Sequence, residues 1–299
     1  MVARLQFPVH SAEAFAELRR RFLELPAKPK LLPTREGGID ISSPGRQSLS
    51  LLVGEETAGV LYATDVYLSP GFGAPPHHQP TEDELWYLLE GTLDARVGTQ
   101  SVSLTPGAFA YIPRDTTHTF RNNGSDLVRL LAWNAPGGHE RAFEAMRAKA
   151  EQGITDFPSL REVMGHHGIE LHKDGTEVAA NDVPDGKLRS KVLAGRSQGR
   201  DASQTGADVR VLLDRFESGG RYEVRDIVLA PRTSPLQLGD ERAHICFYVL
   251  AGDARVTLDR KQQSVGRGAF GYLPGGAAAS IEVAGDAPVH AVTWATTPG

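Results

Sequence analysis

The chain contains the same pattern twice. LWYLLEGTLDARV resembles CFYVLAGDARVTL, and PGAFAYIPRDTTHTF resembles RGAFGYLPGGAAASI. The spacing is constant: Gly91 and Gly252, Gly107 and Gly268, Pro113 and Pro274, and Trp133 and Trp294 each stand 161 residues apart. Four matches at one offset, with Gly-Ala-Phe-x-Tyr-x-Pro in both copies, require one folding unit used twice. The two units are expected over residues 40–150 and 205–299, which suits a length of 299 residues.

Each unit reads as β-structure. From Ser48 to Trp133 the runs SLSLLV, GVLYATDVYL, LWYLLE, TLDARV, SVSL, AFAYIP, HTFRN and LVRLLAW are short, apolar and split by Gly, Pro, Asn or Asp. Many short, evenly spaced strands predict an all-β sandwich or barrel. Residues 1–39 are expected to form an N-terminal helical arm. Ser11 can cap a helix over 12–25 whose Phe15, Leu18, Phe22 and Leu25 share one face. HERAFEAMRAKAEQG predicts a helix after the first unit, and SLREVMGHHG a shorter one. The polar stretch 172–207 predicts an irregular tail to the connection between the units, which spans 151–204.

Composition excludes several partners. The net charge is −5, and the densest basic run, Arg19-Arg20-Arg21, reads as a solvated helix face, so nucleic acid is not expected. No stretch approaches the ~20 apolar residues of a membrane span, and the N-terminus has no secretory apolar region. Cys246 is the single cysteine, which excludes an intrachain disulfide and suits a reducing cytoplasm. Its place in ICFYVLAG marks it as a buried inert thiol.

Chemistry concentrates in PPHHQPTEDELWYLLEG, residues 75–91. Gly71 is followed after five residues by His77, then come Gln79, Glu84 and Gly91. Gly107 is followed after five residues by Pro113, then come Asp115, His118 and Asn122. This resembles the two motifs of the cupin superfamily, G-x5-H-x-H-x3–4-E-x6-G and G-x5-P-x-G-x2-H-x3-N. Gln79 stands where the second histidine belongs and Asp115 where a glycine belongs. The resemblance implies two tandem double-stranded β-helix (jelly-roll) barrels. It also implies one divalent first-row transition metal (Fe, Mn, Ni, Co, Cu or Zn), held by His77, Gln79, Glu84 and His118, and commonly a homodimer. The likeness is greatest to bacterial quercetin 2,3-dioxygenase-like bicupins.

Strand geometry supports this ligand set. His77 and Gln79, two apart, share a strand face. Glu84 and His118 come from other strands, and such side chains converge inside a small barrel. Neighbouring His78 then faces away. Three arrangements stay open: Gln79 as ligand, a bulge that swings His78 inward instead, or a site with three ligands or without metal. In the second copy the matching positions are Leu238, Asp240, Ile245 and Ala279, which cannot build a metal site, and alternation turns His244 to the other face. Parity adds pocket walls: Trp86 and Leu88 with Glu84, Phe120 with His118, and Phe109 and Tyr111 with Pro113. Such walls suit an apolar or aromatic small molecule.

The resemblance implies a dioxygenase acting on an aromatic or enolic substrate, with Glu84 as base. A metal-dependent isomerase, cyclase or lyase is the second expectation, and a non-catalytic ligand-binding protein the third. GRSQG, residues 195–199, fits a serine-hydrolase pattern but lies in a polar connection rather than between a strand and a helix. GFG at 71–73 lacks a following helix. His166, His167 and His172 read as exposed loop histidines.

Overall fold

The computed structural model describes residues 27–172 and 188–298. The expected helix at 12–25 lies outside them. In chain order the first unit comprises β1 (Lys30–Leu32), β2 (Ile39–Asp40), β3 (Arg46–Leu52), β4 (Tyr62–Leu68), β5 (Gly73–His78), β6 (Asp83–Glu90), β7 (Leu93–Val97), β8 (Gln100–Leu104), β9 (Phe109–Ile112), β10 (His118–Arg121) and β11 (Val128–Ala135). Helices α1 (Glu140–Glu151) and α2 (Phe157–His166) follow, then β12 (Glu170–Leu171). Both helices fall where the sequence places them, and the Asp156 side chain caps α2 by accepting from the Ser159 amide at 2.9 Å.

The second unit comprises β13 (Lys191–Leu193), β14 (Arg200–Asp201), β15 (Ala207–Leu213), β16 (Tyr222–Leu229), β17 (Leu236–Gly239), β18 (His244–Ala251), β19 (Ala254–Leu258), β20 (Lys261–Val265), β21 (Phe270–Leu273), β22 (Ala278–Val283) and β23 (Val289–Thr296). Each unit is a jelly-roll barrel of two antiparallel sheets. The first pairs the order β13-β9-β6-β11-β4-β3-β2 with β12-β5-β10-β7-β8; the second pairs β1-β21-β18-β23-β16-β15-β14 with β17-β22-β19-β20. Among the described residues no helix is long and apolar enough to cross a membrane.

The leading strand of each copy is exchanged. β1 pairs with β21 of the second barrel, Lys30 opposite Tyr272, while β13 pairs with β9 of the first, Lys191 opposite Tyr111. The polar stretch expected as irregular connection is therefore, from residue 191, strand, 3-10 turn and strand. GRSQG forms that turn, and its Arg196 bonds Asp226 at 2.5 Å and Asp208 at 2.9 Å. Its serine follows a strand, β13, but leads into another, β14, instead of the helix that a nucleophile elbow would need.

The exchange is matched by a shared core. Trp133 and Trp294 stack at 4.5 Å and 17°, and Leu85, Tyr87, Phe109 and Tyr111 join Cys246, Tyr248, Phe270 and Tyr272 around them. Polar contacts cross in pairs: Tyr87 donates to Asp226 at 2.6 Å, and Tyr248 to Asp65 at 2.8 Å. Strands such as β6 and β11 are thus buried on both faces, one against the barrel interior and one against the other barrel. This is why they read as continuous apolar runs rather than as alternating ones.

Candidate metal centre

His77 lies near the end of β5, Glu84 near the start of β6, and His118 opens β10 directly opposite His77. Three strands thus deliver three side chains to one point inside the first barrel. All three are buried, and their ligand atoms lie within 4.8 Å of one another. The imidazole rings sit 4.2 Å apart. His77 Nδ1 donates to the Pro75 carbonyl at 2.8 Å and His118 Nδ1 to the Thr116 carbonyl at 3.0 Å. A carbonyl can only accept, so each Nδ1 carries a proton and each Nε2 is the ring atom turned toward the group. His118 Nε2 faces Glu84 Oε2 at 3.1 Å, an arrangement that a shared cation satisfies and, without one, a shared proton. Two imidazoles and one carboxylate suit a divalent first-row metal with open positions. The donor set, its tautomers and its burial therefore fit such an ion.

Glu84 is held from both sides. The Trp86 indole N–H donates to Oε1 at 2.7 Å and the Gln79 amide to Oε2 at 2.9 Å. Burial pushes the Glu84 carboxyl up, but the hydrogen bond and charge of His118, with His139 and His77 behind them, outweigh it and leave the group ionised below its usual range. Gln79 is buried beside the triad and presents Nε2 to Glu84. The ligand role expected for its oxygen would take a half-turn of the amide. The Gln79 carbonyl accepts from the Asp115 amide at 2.9 Å. Asp115 has φ +68°, the left-handed conformation that the family motif reserves for glycine and that a short polar side chain tolerates.

His78 points out of the barrel. Its Nδ1 lies 3.1 Å from His172 Nε2, and its Nε2 is 3.7 Å from Glu170, both residues of the segment that adds β12 to β5. A register irregularity does occur on β5, between Ala74 and His77, where Pro75 and Pro76 cannot donate to the ladder. It lies before His77 and leaves the alternation of His77, His78 and Gln79 intact. Of the loop histidines, His172 is engaged with His78 and with Thr117 Oγ1 at 3.1 Å.

Trp86 and Leu88 line the first barrel, and Phe120 packs against Trp86 edge-on at 5.5 Å. Phe109 and Tyr111 do not line it. They face the core shared between the barrels, Phe109 beside Trp133 of its own barrel at 6.3 Å and Tyr111 against Tyr222 of the other at 5.8 Å, and Ala110 and Ile112 point inward instead. Parity taken from Pro113, beyond the strand end, selected the wrong face of a strand buried on both. The sequence reading also missed Glu82 and His139, paired at 2.5 Å near the site. Burial opposes the His139 charge, but Glu82 prevails and raises its pKa.

In the second barrel Leu238 faces Ala279, as His77 faces His118 in the first, and both join an apolar core with Ile245 and Phe247. Asp240 caps a turn, accepting from the amides of Arg242 and Ala243 at 2.8 Å. His244 turns away to Tyr272 at 2.7 Å. Between the barrels lies a cavity of about 320 Å³ lined by Arg129, Arg196, Arg267 and His290. Each arginine meets an acid, Arg129 with Asp65, Arg196 with Asp226 and Arg267 with Glu90, and His290 Nε2 lies 2.8 Å from Asp226.

Burial holds His77 at a pKa of about 3, helped by the like charge of His118. The unfolded chain, with an imidazole pKa of ~6.5, then binds the extra proton between these values. Stability of the metal-free protein should rise with pH across that window, by up to about 1.4 kcal/mol per pH unit from this residue. Denaturant midpoints from pH 4 to 7 should show a slope that His77→Gln removes. An equal slope in both proteins would assign it elsewhere.

Residues 64–134 match the family model described as Cupin domain. A curated relative, the tetracenomycin polyketide synthase protein TcmJ of Streptomyces glaucescens, is 30% identical over 71 residues, which cover 24% of this chain and 48% of that protein. Solved structures are similar over most of the chain. Protein Ylba of E. coli superposes with a TM-score of 0.64 at 13% identity, covering 94% of this chain and 97% of its own. Oxalate decarboxylase of Bacillus subtilis gives 0.61 at 14%, covering 99% and 85%. At such identities the likeness is one of fold: two tandem cupin-type barrels.

Proposed function

We propose that this chain is a metal-dependent enzyme of the first barrel that acts on a small phenolic or enolic molecule and directs dioxygen into it. The observation that carries this reading is the buried His77–Glu84–His118 group with both Nδ1 atoms tied to backbone carbonyls. These three residues would hold one divalent ion, which supplies Lewis acidity toward a substrate hydroxyl and, if redox-active, electron exchange with O2. Glu84, fixed by Trp86 and Gln79, accepts the proton that the hydroxyl gives up. A carboxylate so well hydrogen-bonded is a weak base, so it demands an acidic hydroxyl, which phenols and enols provide. Trp86, Leu88 and Phe120 exclude water around the ring.

A second reading, a non-oxidative isomerase, cyclase or lyase, draws on the likeness to a polyketide synthase protein. Metal-loaded protein is assayed on flavonols, catechols and diketones with oxygen uptake recorded. Uptake stoichiometric with product supports the dioxygenase. Turnover that persists without oxygen supports the second reading. No turnover above free metal would sink both.

The ion should number one per chain, because Leu238, Ile245 and Ala279 offer no donor. Gln79→His should tighten metal binding by on the order of tenfold, as imidazole replaces an amide in or beside the ligand set. His78→Ala should leave affinity nearly unchanged. Metal analysis after dialysis against chelator checks all three, and metal lost from His78→Ala but kept by Gln79→Ala would reverse the assignment.

A further inference from the structure

We propose that the first barrel receives a carboxylate of its ligand on Arg46, inside the barrel and apart from the metal group; this rests on the reading that the barrel interior is the reactive site. Arg46 pairs in register with Leu68, a residue of the barrel core, so its side chain points inward. It is 7% exposed. Its guanidinium lies 3.8 Å from the centre of the Phe143 ring, with the Tyr62 hydroxyl beside it and Glu84 as the acid in electrostatic reach. Nη1 is buried without a hydrogen-bond partner among the described residues. A guanidinium cannot shed its proton, so a buried one lacking a full set of partners is a standing cost that an anion would relieve. A second orphan donor is Asn134 Nδ2, on the residue opposite Glu84 and on the same inward face.

The repeat supplies an internal control. At 161 residues from Arg46, Ser48, Ser50 and Asn134 stand Ala207, Val209, Val211 and Ala295. Ala207 and Val209 lie in the apolar core of the second barrel, and Ala295 packs against it. The copy without the metal ligands thus also lacks the arginine, both serines and the asparagine. Polar residues needed for folding the barrel would be needed in both copies. Polar residues needed for a ligand would disappear with the site, as these have. The planar fork of a single guanidinium matches a carboxylate.

The test compares benzoate with benzyl alcohol by calorimetry on the full chain, metal-loaded and metal-free. Wild type should bind benzoate roughly tenfold or more tightly than the alcohol, as a buried charge-assisted pair provides. The preference should persist without metal, disappear in Arg46→Met and fall to an intermediate value in Arg46→Lys, which keeps the charge without the fork. Arg46→Met should also unfold at an equal or higher denaturant midpoint, since it removes a buried charge. The inference is overturned if wild type shows no preference or binds neither probe, or if the preference needs metal. It is overturned equally if Arg46→Met keeps the preference or fails to fold. Absent turnover with benzoate selectivity intact would count against the proposed reaction alone.

Discussion

Replacing Trp133 by alanine should lower folding stability by about 3–5 kcal/mol, the range for deleting a large buried aromatic side chain. Trp133 is fully buried where the barrels meet, stacked on Trp294 and flanked by Phe109. Its removal opens a cavity that neither barrel can fill alone, because each wall is a sheet fixed by its own ladder. The loss should appear in one transition for both barrels, since their cores are a single cluster and their first strands are exchanged. Fluorescence and far-UV circular dichroism in denaturant would check this. Trp133→Ala and Trp294→Ala together should be less costly than the sum of the two, because each single change already removes the same stack. Two separate transitions in wild type would show that the barrels fold independently.

Glu84→Gln should reduce turnover by roughly 10²–10⁴-fold, the usual contribution of a positioned acid or base. Glutamine keeps the shape and can still accept from the Trp86 indole at the position of Oε1. It lacks the charge that, in the proposed reaction, would take a proton and balance an ion held with His77 and His118. Activity must therefore be expressed per bound ion, with excess metal supplied. Substrate binding, measured by titration without oxygen, should change much less than turnover. Equal losses in binding and turnover would make Glu84 a ligand only, and unchanged turnover would remove it from the chemistry.

The spacing of His77, Glu84 and His118 was legible because a barrel strand projects alternate residues inward and the turns between strands are short. The same alternation placed His78 outside, where it meets His172. It failed at Phe109 and Tyr111 because β9 is buried on both faces, and period two cannot say which face is barrel and which is interface. Arg46 went unnoticed for the opposite reason: RQSLS, which opens β3, alternates as a solvated strand would, yet its Arg46, Ser48 and Ser50 are buried.

The repeat, the all-β class, the His77, Glu84 and His118 set of the first barrel and its lack in the second were all readable from residue order alone. These are local quantities: residue type, spacing and strand parity survive in one dimension. The exchange of β1 and β13, the clasp of Trp86 and Gln79 on Glu84, and the shared interior of Arg46 and the candidate ligands emerge only from the folded chain. Three-residue strands carry too little pattern to reveal their partner, and an inward polar face is distinguishable from an outward one only once the barrel closes around it.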